Sequence, residues 1–156
     1  MKTDELKWIK RFLDLSVMVS TWSKDPRTKI GSIIVAPNGQ VISQGFNGFP
    51  RGIEDTDERL NDRPTKHKLV VHAEVNSILS ACYNGFSLKD CSLFINSLCC
   101  AECAKVIIQS GIKKVYMIER DSNFWNESHD LSLNMFKECG VEYHVFDKDM
   151  NELKKD

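Results

Sequence analysis

The sequence predicts an α/β protein, a three-layer α/β/α sandwich on a mixed five-stranded sheet. Two observations carry this prediction. A helix-patterned N-terminal segment leads into a hairpin signature, and helix and strand patterns then alternate to near the C-terminus. The 156 residues also suffice for one core but leave little for two, so a single domain over 1–156 is expected. A hydrophobic share of 42% and a charged share of 28% fit a folded chain and exclude wholesale disorder.

The first helix is predicted over 4–22, where Leu6, Ile9, Leu13 and Val17 recur at helical spacing and define the core face. Pro26 lies beyond its end, and the residue before a proline is biased away from helix. IGSIIV and QVISQGF are β-rich runs separated by a turn containing Asn38-Gly39, which predicts a hairpin over 30–46. Residues 47–68 read as a long irregular segment, with a helical turn over 57–61. A second helix starts at Leu69, carries an apolar stripe of Val75, Ile78 and Leu79, and stops at Asn84-Gly85. Then follow a strand over 91–97, a helix over 101–110, a strand over 115–118, a helix over 128–138 and a strand over 141–146. The charged DKDMNELKKD end reads as a solvated tail or short helix. This order places an antiparallel pair at one side of the sheet and parallel pairing beyond it, with helices on both faces.

Charge and hydropathy exclude some functions. With 21 basic against 22 acidic residues, the chain lacks the basic excess of a protein that neutralises many backbone phosphates, so no stable nucleic-acid partner is expected. No apolar run reaches membrane-spanning length and the N-terminus reads as no signal peptide, so a cytoplasmic protein without a membrane partner is expected. Six cysteines allow three disulfides on count alone. Cys99, Cys100 and Cys103 crowd into five positions, however, which favours a reduced compartment and thiolates available to a metal. Cys82, Cys91 and Cys139 read as buried small hydrophobes.

The sharpest pattern is His72-Ala73-Glu74 followed by Cys100-Ala101-Glu102-Cys103. Zinc commonly takes one imidazole and two thiolates and leaves its fourth position to water. Residues three apart share a helix face, so Cys100 and Cys103 can reach one ion from a single turn, and a helix N-terminus favours their anionic forms. Each half alone is weak, because His-x-Glu is common and Cys-x-x-Cys also serves redox chemistry. Together, in this order and at two helix starts, they point to one zinc ion held by His72, Cys100 and Cys103. The combination resembles the signature of zinc nucleobase deaminases, and that resemblance implies the glutamate as the proton shuttle.

Linked motifs then carry a wider resemblance. SKDPRTKIGSIIV, GFNGFPRG, VVHAEVNSIL and CAECAKVIIQSGIKKVYM occur in the order found in the deoxycytidylate deaminases of the cytidine deaminase-like superfamily. The chain resembles that family from about Trp22 to Phe146, which sets a core of about 22–146. The resemblance implies hydrolysis of dCMP to dUMP and ammonia, supplying dUMP for thymidylate synthesis, with Glu74 moving the protons. It also implies a homo-oligomer, commonly a hexamer, activated by dCTP and inhibited by dTTP, with Mg2+ accompanying the triphosphate effector. Cys99 departs from the pattern, standing where the family has proline before the first ligand cysteine. Some relatives hold a second, structural zinc, but no cysteine occurs before Cys82, so His67 reads as a surface residue. A deaminase of dCTP or of a 5-substituted dCMP is the alternative enzyme, and a non-catalytic zinc-stabilised interaction module is the alternative of another class.

The resemblance also implies substrate contacts. Asn47 is carried over as the sugar contact, and the Ala73 N–H as the donor to the pyrimidine carbonyl. Ser23, Lys24 and Arg27 form the phosphate-contact candidates. Gly45, Gly48 and Arg51 belong to a loop that serves either an effector or the substrate phosphate. Asn76 orients the metal site or fixes the loop. Tyr83, Phe124 and Trp125 are packing residues or ring clamps, and Trp8 and Phe12 packing or interface residues.

Overall fold

The computed structural model describes residues 3–120 and 126–153. Its order is α1 (Thr3–Ser20), β1 (Gly31–Val35), β2 (Val41–Phe46), α2 (Asp57–Asn61), α3 (Arg63–Leu69), α4 (Ala73–Tyr83), β3 (Ser92–Ile95), α5 (Ala101–Gln109), β4 (Lys114–Ile118), α6 (Glu127–Cys139), β5 (Glu142–Phe146) and β6 (Glu152–Leu153). The sheet runs β2-β1-β3-β4-β5-β6. β1 pairs antiparallel with β2 and β3, while β3–β4 and β4–β5 are parallel. The expected mixed sheet is present with six strands, not five. The sixth arises because Asp147 accepts the N–H groups of Asp149 and Asn151, turning the charged tail back so that β6 pairs antiparallel with β5.

The two faces of the sheet are covered differently. α4, α5 and α6 bury Ile78, Ile107, Leu133 and Phe136 against Ile34, Leu93, Ile95, Val115 and Met117. On the other face α1 lays Ile9, Leu13 and Val19 over Ile33, Val35 and Phe94, in one cluster with Tyr116 and Phe146. Val17, expected in that core, is exposed. The buried face of α1 instead continues through Ser16 and Ser20. Their small side chains let the helix backbone approach β1 so closely that a Cβ on Gly31 would stand 2.2 Å from the Ser16 carbonyl oxygen. Leu79 is likewise exposed, so the stripe of α4 runs through Ser77, Ile78 and Ala81.

The helical turn expected over 57–61 is present as α2, and the rest of the segment expected to be irregular contains a further helix, α3. Thr56 caps α2 by accepting from Arg59 N, and Asp62 caps α3 by accepting from Thr65 N, with Pro64 in its first turn. Leu69, expected to open the second long helix, therefore ends α3, and α4 starts at Ala73. Gly39 takes a left-handed conformation in the expected hairpin turn, and Gly140 does so at the end of α6. Asn126 with His129 forms a capping box at the start of α6, which sequence reasoning did not single out.

α4 is pressed onto β2 at Gly45. A Cβ there would meet the backbone of α4 at 2.3 Å from Ser77 N and 2.6 Å from Ala73 O. Ser43 Oγ donates to the Ser77 carbonyl at 2.6 Å beside this contact. Gly45→Ala is expected to cost about 1–3 kcal/mol or more and to lower the thermal midpoint by several degrees. Gly48→Ala, whose added Cβ meets nothing closer than 4.0 Å, is expected to leave the midpoint nearly unchanged. Paired calorimetric melts check the contrast.

Candidate metal centre and its cavity

His72 and Cys100 occupy the N-cap positions of α4 and α5 in extended backbone, and neither side chain caps its helix. Both are thereby free to turn toward each other. Cys103, one turn into α5, is buried behind them. Cys100 Sγ lies 3.6 Å and Cys103 Sγ 3.3 Å from His72 Nδ1. A tetrahedral zinc with ordinary bond lengths spaces a sulfur and a nitrogen by roughly 3.6 Å, so the donor set fits that ion. Among the described residues this is the one cluster of His, Cys, Asp and Glu donors able to hold a metal, with all three ligand atoms within 4.8 Å of one another. Cys99, immediately before it, is fully buried and outside the cluster, where burial pushes its thiol well up.

The ionisation of these groups follows from their contacts. The hydrogen bond donated by Cys103 brings the Cys100 thiol down to about 3, aided by His72 and opposed by burial. Cys103 keeps its proton, first because it shares it with Cys100 and then because it is buried. The Cys100 partner raises the imidazole of His72. Glu74, 4% exposed, is pushed up by burial. A buried carboxyl raised in this way is suited both to take and to return a proton.

His72, Ala73, Glu74 and Cys100 line a cavity of about 260 Å³ together with Asn47. Asn47 also organises the loop before β1. Its Oδ1 accepts from Ile30 N and its Nδ2 donates to Thr28 O, both at 2.8 Å. Ser23, a phosphate candidate, is buried beneath this loop, donating to Asn47 O and accepting from Asp25 N. Lys24 is an exposed cation paired with Asp55 at 2.9 Å and borders a neighbouring cavity of about 330 Å³. Arg27 lines a third cavity beside Arg120 and His129, which shares the wall of Thr28, Ile30, Ser97 and Leu98 with the first.

The remaining candidates are spread out. Arg51 places its guanidinium 5.4 Å from the centre of the Tyr83 ring, away from the metal cluster's cavity. Gly45 is a packing residue under α4, and Gly48 bridges its backbone to Val71 just before His72. Asn76 donates to Phe46 O at 2.8 Å, tying α4 to the end of β2. His67 is exposed, as expected, yet lines the cavity of the metal cluster. Phe12 packs between Trp8 and Phe94, while Trp8 and Tyr83 are exposed. Phe124 and Trp125 lie outside the described residues. Cys91 is buried, but Cys82 and Cys139 are exposed, because both sit on the outer sides of their helices.

The cavity also contains residues that sequence reasoning passed over: Asp25, Lys66, Ser97 and His129. Asp25 stood inside the quoted SKDPRTK motif without a role. Lys66 could have been found only by recognising α3, whose cap Asp62 and early Pro64 were the available signal.

Residues 6–119 match the family model of the cytidine and deoxycytidylate deaminase zinc-binding region. The chain belongs to this family. An "uncharacterized deaminase in luxG 3′ region" of Aliivibrio fischeri is 40% identical over 139 residues, covering 87% of this chain and 91% of that protein. The deoxycytidylate deaminase of Mus musculus is 34% identical over 152 residues, covering 93% and 83%. The crystal structure of dCMP deaminase from the cyanophage S-TIM5 in complex with dCMP and dUMP superposes with a TM-score of 0.74 at 27% identity, covering 94% of this chain and 99% of that one. This deaminase-family chain thus carries its zinc-binding motif at the mouths of two neighbouring helices.

Zinc analysis of the purified protein is expected to find one ion per chain. Cys103→Ser should lose it and melt at lower temperature, because metal binding contributes folding free energy. Cys99→Ser should keep it. A metal-free Cys99→Ser protein alongside a fully loaded Cys103→Ser protein would reverse the ligand assignment.

Proposed function

We propose that this chain hydrolyses dCMP to dUMP and ammonia. The observation that carries the reading is the buried Glu74 carboxyl lining one cavity with His72 and Cys100, which form a donor set with Cys103 behind them. The family membership and the dCMP and dUMP complex of the cyanophage enzyme supply the substrate class. Zinc would be held by His72, Cys100 and Cys103 and would supply the chemistry of activating water as a nucleophile at neutral pH. Attack at C4 replaces the amino group by oxygen. Glu74 takes a proton from the attacking water, delivers one to N3, and protonates the departing amine so that it leaves as ammonia. Ala73 opens α4 and lines the same cavity, and its N–H, one of the first-turn donors without an intrahelical partner, is assigned to the pyrimidine carbonyl.

The nucleotide phosphate is assigned to Arg27. A planar guanidinium can make two hydrogen bonds to a phosphate, and Arg27 lies with Arg120 in the cavity that adjoins the metal centre. Lys24 is drawn off by Asp55 and Ser23 is engaged in the loop, so both support this arrangement indirectly. The finer family properties are proposed with it: a homohexamer in the cytoplasm, activated by dCTP with Mg2+ and inhibited by dTTP. Exposed Trp8, Trp22, Tyr83 and Phe86 supply apolar surface for subunit contact. Gly48 and Arg51 line the second cavity, which is large enough to admit part of an effector. Among the described residues no helix is long and apolar enough to cross a membrane.

Glu74→Gln is expected to keep its zinc and lose turnover by at least the roughly 10²- to 10⁴-fold typical of general acid–base groups. Ammonia release measured at confirmed zinc occupancy checks this, and near-normal turnover would end the shuttle assignment. Arg27→Ala should lower kcat/KM for dCMP by about ten- to a hundred-fold, the worth of one charged hydrogen bond of roughly 1.5–3 kcal/mol. The same substitution should leave deoxycytidine turnover nearly unchanged. Equal losses on both substrates would remove Arg27 from the phosphate site.

A further inference from the structure

Lys66 and Asp25 form a buried ion pair in the wall between the metal-centre cavity and its neighbour, and both residues line both cavities. Lys66 Nζ lies 3.1 Å from Asp25 Oδ1 and 3.0 Å from Oδ2, with the side chains 9% and 7% exposed. Asp25 Oδ1 is saturated, since it also accepts the N–H groups of Arg27 at 2.8 Å and Thr28 at 2.9 Å. Among the described residues Oδ2 has Lys66 alone. An ammonium carries three donors and a carboxylate oxygen more than one acceptor position. Among the described residues the Lys66 ammonium has no other hydrogen-bond partner. The pair therefore retains a donor and an acceptor side by side at the cavity wall, next to Asn47.

The charge of the pair selects its ligand. An ammonium held against a carboxylate is neutral overall, and Asp25 would repel a phosphate brought beside it. A hydroxyl fits, because it accepts from Lys66 and donates to Asp25 at once. Asn47 has its Oδ1 and one amide hydrogen engaged in the loop, so it can offer only part of such a contact.

We propose that the Asp25–Lys66 pair is the sugar-hydroxyl site of the cavity and reads the 3′-hydroxyl of a deoxynucleotide. This rests on the dCMP reading above. It divides the ligand between two walls, with phosphate on the arginine side and hydroxyl on the α3 side. A site built to bond a hydroxyl rejects the analogue lacking it, because the buried groups are then left unpaired.

The test is calorimetric titration of the zinc-loaded Glu74→Gln protein with dCMP and with 2′,3′-dideoxycytidine 5′-monophosphate, which lacks only that hydroxyl. The parent is expected to bind dCMP roughly ten- to a hundred-fold more tightly, as for a lost hydrogen bond to charged groups. In Lys66→Met and Asp25→Asn on that background the ratio should fall to near one, with dideoxy affinity little changed. Asp25→Asn keeps a carbonyl for the Arg27 and Thr28 N–H groups, so it carries the test should Lys66→Met fail to fold. Equal binding of both nucleotides by the parent overturns the hydroxyl site and leaves the deaminase reading standing. So does a ratio that survives the substitutions, including one in which both ligands weaken equally, which marks the pair as structural. A protein that binds neither nucleotide, with a wild type that releases no ammonia from dCMP, overturns the dCMP reading itself.

Discussion

The close contact between α4 and β2 at Gly45 is the constraint on which the rest of the site depends. With no Cβ in the way, the helix backbone lies against the strand backbone, Ser43 of β2 donates to the Ser77 carbonyl of α4, and Ser32 of the neighbouring β1 bonds the Ser77 hydroxyl. This fixes where α4 begins. Because His72 is the residue at that beginning, its ring position is set by the packing of α4 on the sheet. α5 starts beside it after β3, the strand hydrogen-bonded to β1, so Cys100 arrives at the same height. The donor set is a consequence of two helices being docked on neighbouring strands.

Opposite the metal centre, the cavity wall is made of loop, and loops are ordinarily the mobile part of a domain. Here that wall is tied by side chains. Asn47 takes hydrogen bonds from or gives them to residues 28 and 30, Ser23 reaches back to Asn47, and Asp25 gathers two backbone N–H groups and Lys66. Burial raises the Asp25 carboxyl, but the Thr28, Arg27 and Lys66 contacts outweigh it and hold the group below its ordinary range. Removing one partner of a buried pair is costly because it strands the other. The loop is thereby held in place, largely at the expense of Ser23 and Asn47, while the Asp25–Lys66 pair keeps a donor and an acceptor toward the cavity.

The electrostatics of the metal centre follow from crowding. Cys100 and Cys103 face one imidazole, and ionising the first thiol suppresses the second. Zinc ligation requires both as thiolates, so binding releases a proton and affinity rises with pH. Glu74 sits in the same buried environment and is raised by desolvation. Three potential anions in one small volume are unfavourable by themselves and are what a divalent cation stabilises.

Much of this was legible in the chain alone. Helix and strand periods, the Asn38-Gly39 turn and the caps are local, so they identified the α/β class, the hairpin and the alternation that followed. The His72–Glu74 and Cys100–Cys103 spacing was legible for the same reason, since each half is a matter of one helical turn. Long-range contacts were not. Val17 looked like core because its period was right, whereas Gly31 draws Ser16 and Ser20 inward by admitting the α1 backbone. The sixth strand depends on Asp147 capturing two backbone N–H groups before pairing with β5. Lys24 and Arg51 looked equivalent to any other cation until Asp55 and Tyr83 were found beside them. The sequence by itself determined which chemistry the chain carries, because ligand identity and helical spacing are local properties. Only the tertiary structure decided that Lys66 and Asp25, 41 residues apart, meet at the cavity wall, because that meeting is set by packing between segments and no local pattern encodes it.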